Sequence, residues 1–258
     1  MPVSHPIGTT LRDVSGDSFS DTDRDRLADT ISTARNTSTA SATALLAPAV
    51  PGGASAALTA RSCVFDHCGV LLFPRSLDAG LSELDRLGLE PQPITPSTVV
   101  RRRLASRYDV DPDACDVAIT RLRLDLPDGR RHAAVEVFLL PRDSAGYERR
   151  IEDAEAAQGF EQHTAFVVTR PDATLLTRLI TTWRTDAGLL AEGGGHNPYE
   201  GSTVFYFVRE PAHPGERRRF ELHCTGDFRA VLDGLAVESG AVARAYRDWR
   251  PAARTTAV

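Results

Sequence analysis

Residues 163–188, HTAFVVTRPDATLLTRLITTWRTDAG, place a strand-like run directly before an amphipathic helix. The apolar run 163–168 is typical of a buried strand, and Gly188 is a helix-ending signal. Between them, apolar residues recur at helical spacing: Leu175, Leu176, Leu179, Ile180 and Trp183. The same order occurs earlier in residues 64–88, VFDHCGVLLFPRSLDAGLSELDRLG. A unit that is used twice in one chain predicts a duplicated module.

Further strand-like runs follow each of the two helices. They share β-branched and aromatic residues and turn signals at their ends, and they cover residues 98–108, 117–126 and 133–140 in the first copy and 189–191, 203–209 and 217–224 in the second. Each copy therefore has the order βαβββ. We expect an α+β fold with two such modules, residues 61–143 and 163–225.

The segments outside the modules have a different composition. Residues 1–60 are rich in Ser, Thr, Ala, Asp and Gly and predict a flexible N-terminal arm with one short helix near 22–35. Residues 144–162 are charged and predict a linker helix, and residues 226–258 predict a C-terminal helix over 228–249 and a tail. We interpret the glycine run before His196 as a flexible corner, because it does not open a helix as a phosphate-binding loop would.

The composition excludes several classes of protein. All 30 basic residues are arginine, which excludes Schiff-base chemistry on lysine and a Walker A loop. A net charge of −5 predicts no general affinity for nucleic acid or anionic lipid. Four cysteines in 258 residues form neither a disulfide framework nor a zinc ribbon, and no secretion signal or membrane span stands out. We expect a cytoplasmic protein, and a lysine-free chain is typical of a GC-rich bacterial genome.

Histidine and glutamate occupy matching positions in the two copies. His67 lies in the first strand of one copy and His163 opens the first strand of the other, while Glu136 and Glu221 lie in the two fourth strands. A glutamate inside an apolar strand is costly to bury without a partner. Taken singly, each residue is more often solvated or satisfied in the core, and it is the repeat that favours a shared site. Imidazole and carboxylate together suit Fe(II), Mn(II) or Zn(II), so the pattern predicts a metal site.

The duplicated pattern resembles the vicinal oxygen chelate superfamily over about residues 61–225. Within it, the segment Gly193-Gly194-Gly195-His196-Asn197, the run 204–211 with its Glu210-Pro211, and Phe220-Glu221-Leu222 are similar to the signature of extradiol ring-cleavage dioxygenases. Asp66-His67 resembles the pair that opens the catalytic module of that family. The chain departs from the signature in a longer gap before Tyr206 and in a long hairpin over 211–218. The resemblance implies a half-barrel of two βαβββ modules around a metal ion.

The resemblance also implies roles for individual residues. His67, His163 and Glu221 would bind Fe(II), with Mn(II) and Zn(II) as alternatives. His196 would donate a hydrogen bond near the bound oxygen or substrate. Tyr206 would be a phenol on the substrate side of the site.

The resemblance leaves the role of Glu136 open. It stands where extradiol enzymes have a histidine that acts as acid-base catalyst. Glu136 is therefore either the proton-transfer group or a fourth ligand, as in the glyoxalase-like branch of the superfamily. A third alternative is that His132, four residues earlier on the same strand face, supplies the imidazole instead.

The implied function is a non-heme Fe(II) dioxygenase that acts on a catechol-like or related small substrate in bacterial aromatic or specialised metabolism. Its partners would be that substrate and dioxygen, without nucleic acid or membrane, and a homo-oligomer is left open. One alternative is a glyoxalase-like isomerase or transferase that uses the metal without dioxygen. The other is a metal-free protein for small-molecule binding or resistance, because fold alone does not determine function.

Overall fold

An eight-stranded sheet organises the chain in the computed structural model, which describes residues 18–46, 52–210 and 219–248. Its strands are β1 Cys63–Leu72, β2 Thr95–Pro96, β3 Ala118–Asp125, β4 Arg131–Leu139, β5 His163–Val168, β6 Leu190–Asn197, β7 Ser202–Val208 and β8 Arg219–Thr225. Their order across the sheet is β2-β3-β4-β1-β5-β8-β7-β6.

The strand order shows the duplication directly. Each module places its first strand at the centre of the sheet, then its fourth, its third and, at the outer edge, its second. The two first strands, β1 and β5, pair antiparallel, and each pairs in parallel with the fourth strand of its own module, β4 or β8. The α+β fold with two repeated modules is confirmed.

Helices cover the sheet and connect the modules. The described residues form α1 Asp21–Thr37, α2 Ala42–Leu46, α3 Ala54–Ser62, α4 Leu77–Arg86, α5 Thr98–Tyr108, α6 Arg149–Gln158, α7 Ala173–Thr185, α8 Arg229–Asp233 and α9 Ser239–Asp248. The predicted module helices are α4 and α7, which begin after the capping residues Ser76 and Asp172. The helix α6 lies in the predicted linker. In the described ranges, no helix has the length and apolar character needed to cross a bilayer.

Residues 98–108, which we predicted to be a strand, form the helix α5 instead. The hydroxyl of Ser97 caps it by accepting a hydrogen bond from the Val100 N–H at 3.3 Å. The helix ends at Asp109, whose φ of 52° is left-handed. Val100 and Leu104 are buried one helical turn apart. The β-branched residues of this segment favour a strand, but packing against the sheet overrides that weak preference.

The helix predicted near residues 22–35 is present as α1, and the described part of the predicted flexible arm packs against the sheet. The helix α1 packs against β1 and β4 and buries Leu27 and Ala34. Arg26 in the same helix lies 3.3 Å from the buried carboxylate of Glu155 in α6. A segment with few large apolar residues is ordered here because the outer face of the sheet supplies the rest of the core. The remaining residues of the predicted arm lie outside the described ranges.

The C-terminal helix predicted over residues 228–249 is divided into α8 and α9. Gly234 caps α8, and the four residues after it are not helical. Glycine is a poor helix former, which accounts for the break at this position. Tyr246 in α9 packs against Phe160 with ring centroids 4.8 Å apart. Trp249 and the predicted hairpin 211–218 lie outside the described residues.

The sheet curls until its two edges come together. Asn197 in the edge strand β6 donates a hydrogen bond from Nδ2 to the carbonyl oxygen of Pro96 in β2, the opposite edge, at 3.1 Å. The helix α5 lies against β6. A Cβ at Gly195 would lie only 2.8 Å from Cγ2 of Val99 in that helix. The concave face of the sheet is therefore covered by α5.

The glycine run 193–195 lies inside β6, so its interpretation as a flexible corner is wrong. A Cβ at Gly194 would overlap the carbonyl oxygen of Val204 in β7. Gly193 has a φ of 124°, a conformation that side chains rarely adopt, where the pairing of β6 with β7 is irregular. The glycines thus permit close contact of β6 with β7 and α5.

Candidate metal centre

Four side chains converge near the centre of the sheet: His67, Glu136, His163 and Glu221. Each offers one ligand atom, and these atoms all lie within 4.8 Å of one another. None of the four residues is more than 5% exposed. The alternative that these are solvated residues of a strand surface is therefore wrong.

The register of the central strands brings the four residues together. Gly69 in β1 lies opposite both Glu136 in β4 and His163 in β5. A Cβ at Gly69 would overlap the imidazole of His163, so only glycine leaves room for this ring. On the other side of β5, parallel pairing places Glu221 in β8 beside Ala165. The cluster thus spans four adjacent strands.

A β-bulge in β1 directs His67 toward the cluster. The pairing with β5 shifts between Phe65 and Cys68, which leaves Asp66 and His67 in the irregular segment. Nδ1 of His67 donates to Oδ2 of Asp66 at 2.8 Å. This hydrogen bond leaves Nε2 of His67 directed at the other three residues.

The inward atoms are close enough to share one ion. Nε2 of His67 lies 3.3 Å from Nε2 of His163 and 3.3 Å from Oε2 of Glu136. Nε2 of His163 lies 3.2 Å from Oε2 of Glu221. Two ligand atoms bound at about 2.1 Å to one ion lie about 3 Å apart when they are at right angles. The separations therefore fit a metal ion.

The two imidazoles are held in the tautomer that a metal requires. Nδ1 of His163 donates to the carbonyl oxygen of Glu161 at 2.7 Å, as Nδ1 of His67 donates to Asp66. In a neutral imidazole the other nitrogen then has a free lone pair. Two such lone pairs facing each other form no hydrogen bond, whereas a cation between them binds both.

The charges of the buried cluster are unbalanced. Asp66, Glu136 and Glu221 are carboxylates, and the guanidinium of Arg121 donates to Asp66 at 3.1 Å and to Glu136 at 3.0 Å. With neutral imidazoles, three negative charges and one positive charge leave the deficit that a divalent cation would balance. Oε2 of Glu221 is buried and accepts no hydrogen bond. The chemistry of the donors and this unpaired oxygen fit a divalent metal ion.

The same unbalanced charge shifts the pKa values of the cluster. Burial opposes a charged His67, but the negative charge of Glu136 prevails and raises the pKa of His67 to about 10. Burial disfavours the Glu221 carboxylate, but the neighbouring His163 prevails and lowers its pKa to about 2. Although burial opposes it, the hydrogen bond from His67 holds the pKa of Asp66 well below its usual value. Without a metal, His67 therefore attracts a proton, whereas Glu221 and Asp66 stay ionised.

Glu200 belongs to this site, although no sequence pattern indicated it. It lies in the turn between β6 and β7 and lines, with Glu136 and Glu221, a cavity of about 20 Å³, which has room for about one water molecule. Nδ2 of Asn197 donates to its carboxylate at 2.8 Å. Burial and the negative charge of Glu136 raise the pKa of Glu200 to about 7. Glu200 can therefore exchange a proton near neutral pH.

Tyr206 lies beside the cluster on the inner face of β7. Its ring meets the imidazole of His163 edge to face, with centroids 5.6 Å apart. The guanidinium carbons of Arg219 and Arg103 lie 3.9 Å and 4.4 Å from the ring centroid. Burial raises the pKa of Tyr206 well above its usual value, so the phenol keeps its proton. Its role toward a substrate stays a prediction.

The structure does not bring His196 to the cluster. In β6, Gly195 pairs with Val204 and His196 pairs with Thr203, so the two pairs face opposite sides of the sheet. Tyr206, two residues after Val204, is on the cluster side. Nδ1 of His196 instead lies 3.1 Å from the Thr203 hydroxyl. This geometry contradicts the role that the resemblance implies for His196.

His132 and His223 lie around the cluster rather than in it. Nε2 of His132 lies 2.9 Å from the backbone oxygen of Asp66. His132 therefore contacts the bulge and does not supply an imidazole beside Glu136. Nδ1 of His223 lies 3.9 Å from Oδ2 of Asp66, and burial lowers the pKa of His223.

Neither a protein-family model nor a curated protein matches the chain. Among solved structures, a variant of methylmalonyl-CoA epimerase from Streptomyces coelicolor in complex with 2-nitronate-propionyl-CoA is 19% identical over 63% of this chain and 97% of the epimerase, with a TM-score of 0.34. The 2,3-dioxygenase LapB from Pseudomonas sp. KL28 is 12% identical over 64% of this chain and 43% of LapB, with a TM-score of 0.30. A variant of 4-hydroxymandelate synthase from Streptomyces coelicolor is 11% identical over 73% of this chain and 54% of the synthase, with a TM-score of 0.35. At these identities and scores, the likeness carries no information about activity.

The described residues thus contain two repeated modules, arranged as the resemblance to the vicinal oxygen chelate superfamily implied. At their junction lies a buried cluster of two histidines and two glutamates that fits a divalent metal ion.

Proposed function

We propose that the protein is a metal-dependent enzyme whose substrate is a small molecule with two adjacent oxygen atoms. His67, Glu136, His163 and Glu221 bind one divalent cation. The observation that carries this proposal is the convergence of four buried ligand atoms within 4.8 Å, among carboxylates that lack balancing charge. Fe(II), Mn(II) and Zn(II) all suit this mixture of imidazole and carboxylate ligands.

Four protein ligands favour chemistry without dioxygen. His67, Glu136, His163 and Glu221 would hold the cation, which would remain accessible to the two adjacent oxygens of the substrate. The cation supplies Lewis acidity, which polarises a carbonyl or hydroxyl oxygen of the substrate. Reactions of this class include isomerisation and proton exchange at a carbon next to a carbonyl group.

Two further residues of the chain serve this chemistry. Glu200 takes or returns the substrate proton, because it lines the cavity at the ligands and has a pKa of about 7. Tyr206 orients the substrate with its protonated phenol.

A non-heme Fe(II) dioxygenase that acts on a catechol-like substrate is the second candidate. The contact of Arg121 with Oε1 of Glu136 at 3.0 Å favours it. If Glu136 stays with Arg121, the remaining ligands are His67, His163 and Glu221. Such a set of two histidines and one carboxylate leaves positions for both substrate and dioxygen.

Metal analysis of anaerobically purified protein tests the metal site. We expect about one ion per chain in the wild type and loss of the ion in His163→Ala and Glu221→Ala. His196→Ala is the matched control, because this histidine lies on the opposite face of the sheet, and it should keep the metal. A metal content in His163→Ala and Glu221→Ala equal to that of the wild type would contradict the proposal. If the wild type takes up no Fe(II), Mn(II) or Zn(II), the remaining alternative is the metal-free protein for small-molecule binding.

Oxygen consumption separates the two candidate enzymes. The loaded protein is tested with a panel of catechols in an oxygen electrode and with α-hydroxy ketones in D₂O by proton NMR. Deuterium exchange without oxygen uptake supports the first candidate, and oxygen uptake overturns it in favour of the dioxygenase. Glu136→Ala sharpens the result, because it should lose metal affinity only if Glu136 is a ligand.

A further inference from the structure

A second cavity of about 810 Å³ lies between α5, β6 and α9. None of the four cluster residues lines it, and Tyr206 contributes to the walls of both this cavity and the small one at the cluster. Sites for small molecules commonly have volumes of about 300–1,000 Å³. The cavity thus has the size of a ligand site and is distinct from the cluster.

The walls of this cavity have two different characters. One part is apolar and includes Val99, Phe160, Val237 and Val242. The other part contains four arginines and one glutamate: Arg102, Arg103, Arg107, Arg247 and Glu192. An apolar wall beside an excess of guanidinium groups is complementary to a molecule with an apolar body and an acidic group.

The arginines of this cavity are not equivalent. Nε of Arg103 and Nη1 of Arg107 each donate a hydrogen bond of 2.9 Å to Oε1 of Glu161. Oε2 of Glu192 accepts a hydrogen bond from Nε of Arg219 at 2.6 Å. Arg102 is exposed, and it makes no hydrogen bond or ion pair to other residues of the described ranges. Its guanidinium is therefore available to a ligand.

We propose that this cavity binds an anionic small molecule with an apolar body. The acidic group pairs with Arg102, and the apolar body lies against Val99, Phe160 and Val242. Apolar burial favours binding, and the guanidinium selects for the acidic group. The site goes beyond the proposed metal chemistry and does not depend on it, because no metal ligand forms its wall.

Two fluorescent probes that differ mainly in charge test the proposal on metal-free protein. These are 8-anilinonaphthalene-1-sulfonate and N-phenyl-1-naphthylamine, which has the same rings without the sulfonate. We expect saturable binding of the sulfonate at least about tenfold tighter than binding of the neutral probe. Equal affinities would overturn the proposal.

Variants place the binding in this cavity. Arg102→Glu should weaken binding of the sulfonate by at least about tenfold. Ala243→Trp, at an exposed position on the cavity wall, should weaken binding by occupying part of the space. Arg123→Glu is the matched control, because it makes the same charge change at an exposed residue outside the cavity, and it should bind like the wild type.

The outcome is independent of the metal site. The probes are titrated into metal-free protein, so loss of sulfonate binding and loss of metal binding are separate results and failure of one proposal is distinguishable from failure of the other. Unchanged binding in either Arg102→Glu or Ala243→Trp would overturn the proposed ligand site. Cooperative unfolding in urea verifies that each variant is folded, because partly folded chains also bind this sulfonate.

Discussion

Two buried ionic networks share the concave side of the sheet, and they differ in how their charges are balanced. The carboxylate of Glu161 is paired with three guanidiniums, those of Arg103, Arg107 and Arg219. In the cluster around Glu221, carboxylates outnumber guanidiniums and one buried oxygen has no hydrogen-bond partner. Carboxylates of the chain pair with the guanidiniums of the arginine network, in which Nη2 of Arg219 is the buried atom without a hydrogen-bond partner. The excess of carboxylates in the cluster instead fits a divalent cation.

This difference indicates that the arginine network has a structural role and that the cluster around Glu221 has a chemical one. Each buried charge is costly, and it persists only where something pairs with it. Glu161 connects the two networks, because its carboxylate belongs to the arginines and its backbone oxygen accepts the hydrogen bond from His163. The arginine network thus holds His163 of the cluster in place.

The largest expected effect is on stability, in Glu161→Gln. The substitution leaves the buried guanidinium of Arg219 and the partly buried guanidiniums of Arg103 and Arg107 around a neutral amide, so it should lower the free energy of unfolding by about 3–5 kcal/mol. Glu221→Gln in metal-free protein removes one of the carboxylates that outnumber the guanidiniums in the cluster, so it should lower the free energy of unfolding by less than Glu161→Gln does. Urea unfolding followed by circular dichroism measures both values.

An exposed ion pair provides the control for these two variants. Glu90 lies 2.5 Å from Arg131 at the surface, and Glu90→Gln should change the free energy of unfolding by less than about 1 kcal/mol. If Glu161→Gln and Glu221→Gln lost the same stability, the distinction between the two networks would be wrong.

A smaller effect, on metal affinity, is expected from Gly69→Ala. The new methyl group overlaps the imidazole of His163, which must turn away from the other ligands. We expect metal affinity to fall by about 10–100-fold, measured by competition with a chelator. Gly52→Ala is the control, since no atom lies within 4 Å of a Cβ at that position. Wild-type affinity in Gly69→Ala would show that His163 is not a ligand.

The pH dependence of stability tests the arginine network with the smallest expected effect. Burial opposes ionisation of Glu161, but Arg103, Arg219 and Arg107 prevail and hold its pKa below the usual 4.5. Because the pKa is lower in the folded state, this carboxylate stabilises the fold fully above pH 4.5, and the contribution is lost as the pH falls below that value. Between about pH 6 and pH 3, Glu161→Gln should therefore lose less stability than the wild type. Parallel losses in urea unfolding would contradict this assignment.

The positions of the four cluster residues were predictable, whereas the arginine network was not. His67 and His163 stand in strands that periodicity identifies, and the repeat aligns Glu136 with Glu221. Arg103 and Glu161 are 58 residues apart, and no local pattern connects them. Pairing between distant charged residues becomes visible only when the chain is folded.

His196 and α5 show two other limits of sequence patterns. A strand residue faces one side or the other according to register, and a shift of one residue reverses it. The position of His196 in a signature-like segment therefore did not establish its direction. In residues 98–108, β-branched side chains concealed the helical spacing of Val100 and Leu104, which are buried against the sheet.

Local patterns in the chain are sufficient for the two modules, for the order of their elements along the chain apart from residues 98–108, and for the residue types at the first and fourth strands. They are sufficient because strand and helix periods and side-chain chemistry are properties of short segments. Three features depend instead on contacts between distant segments. These are the proximity of Glu136 to His67, the position of α5 over the sheet, and the position of Glu200 at the cluster. These features depend on register, curvature and burial, which arise when the modules pack together.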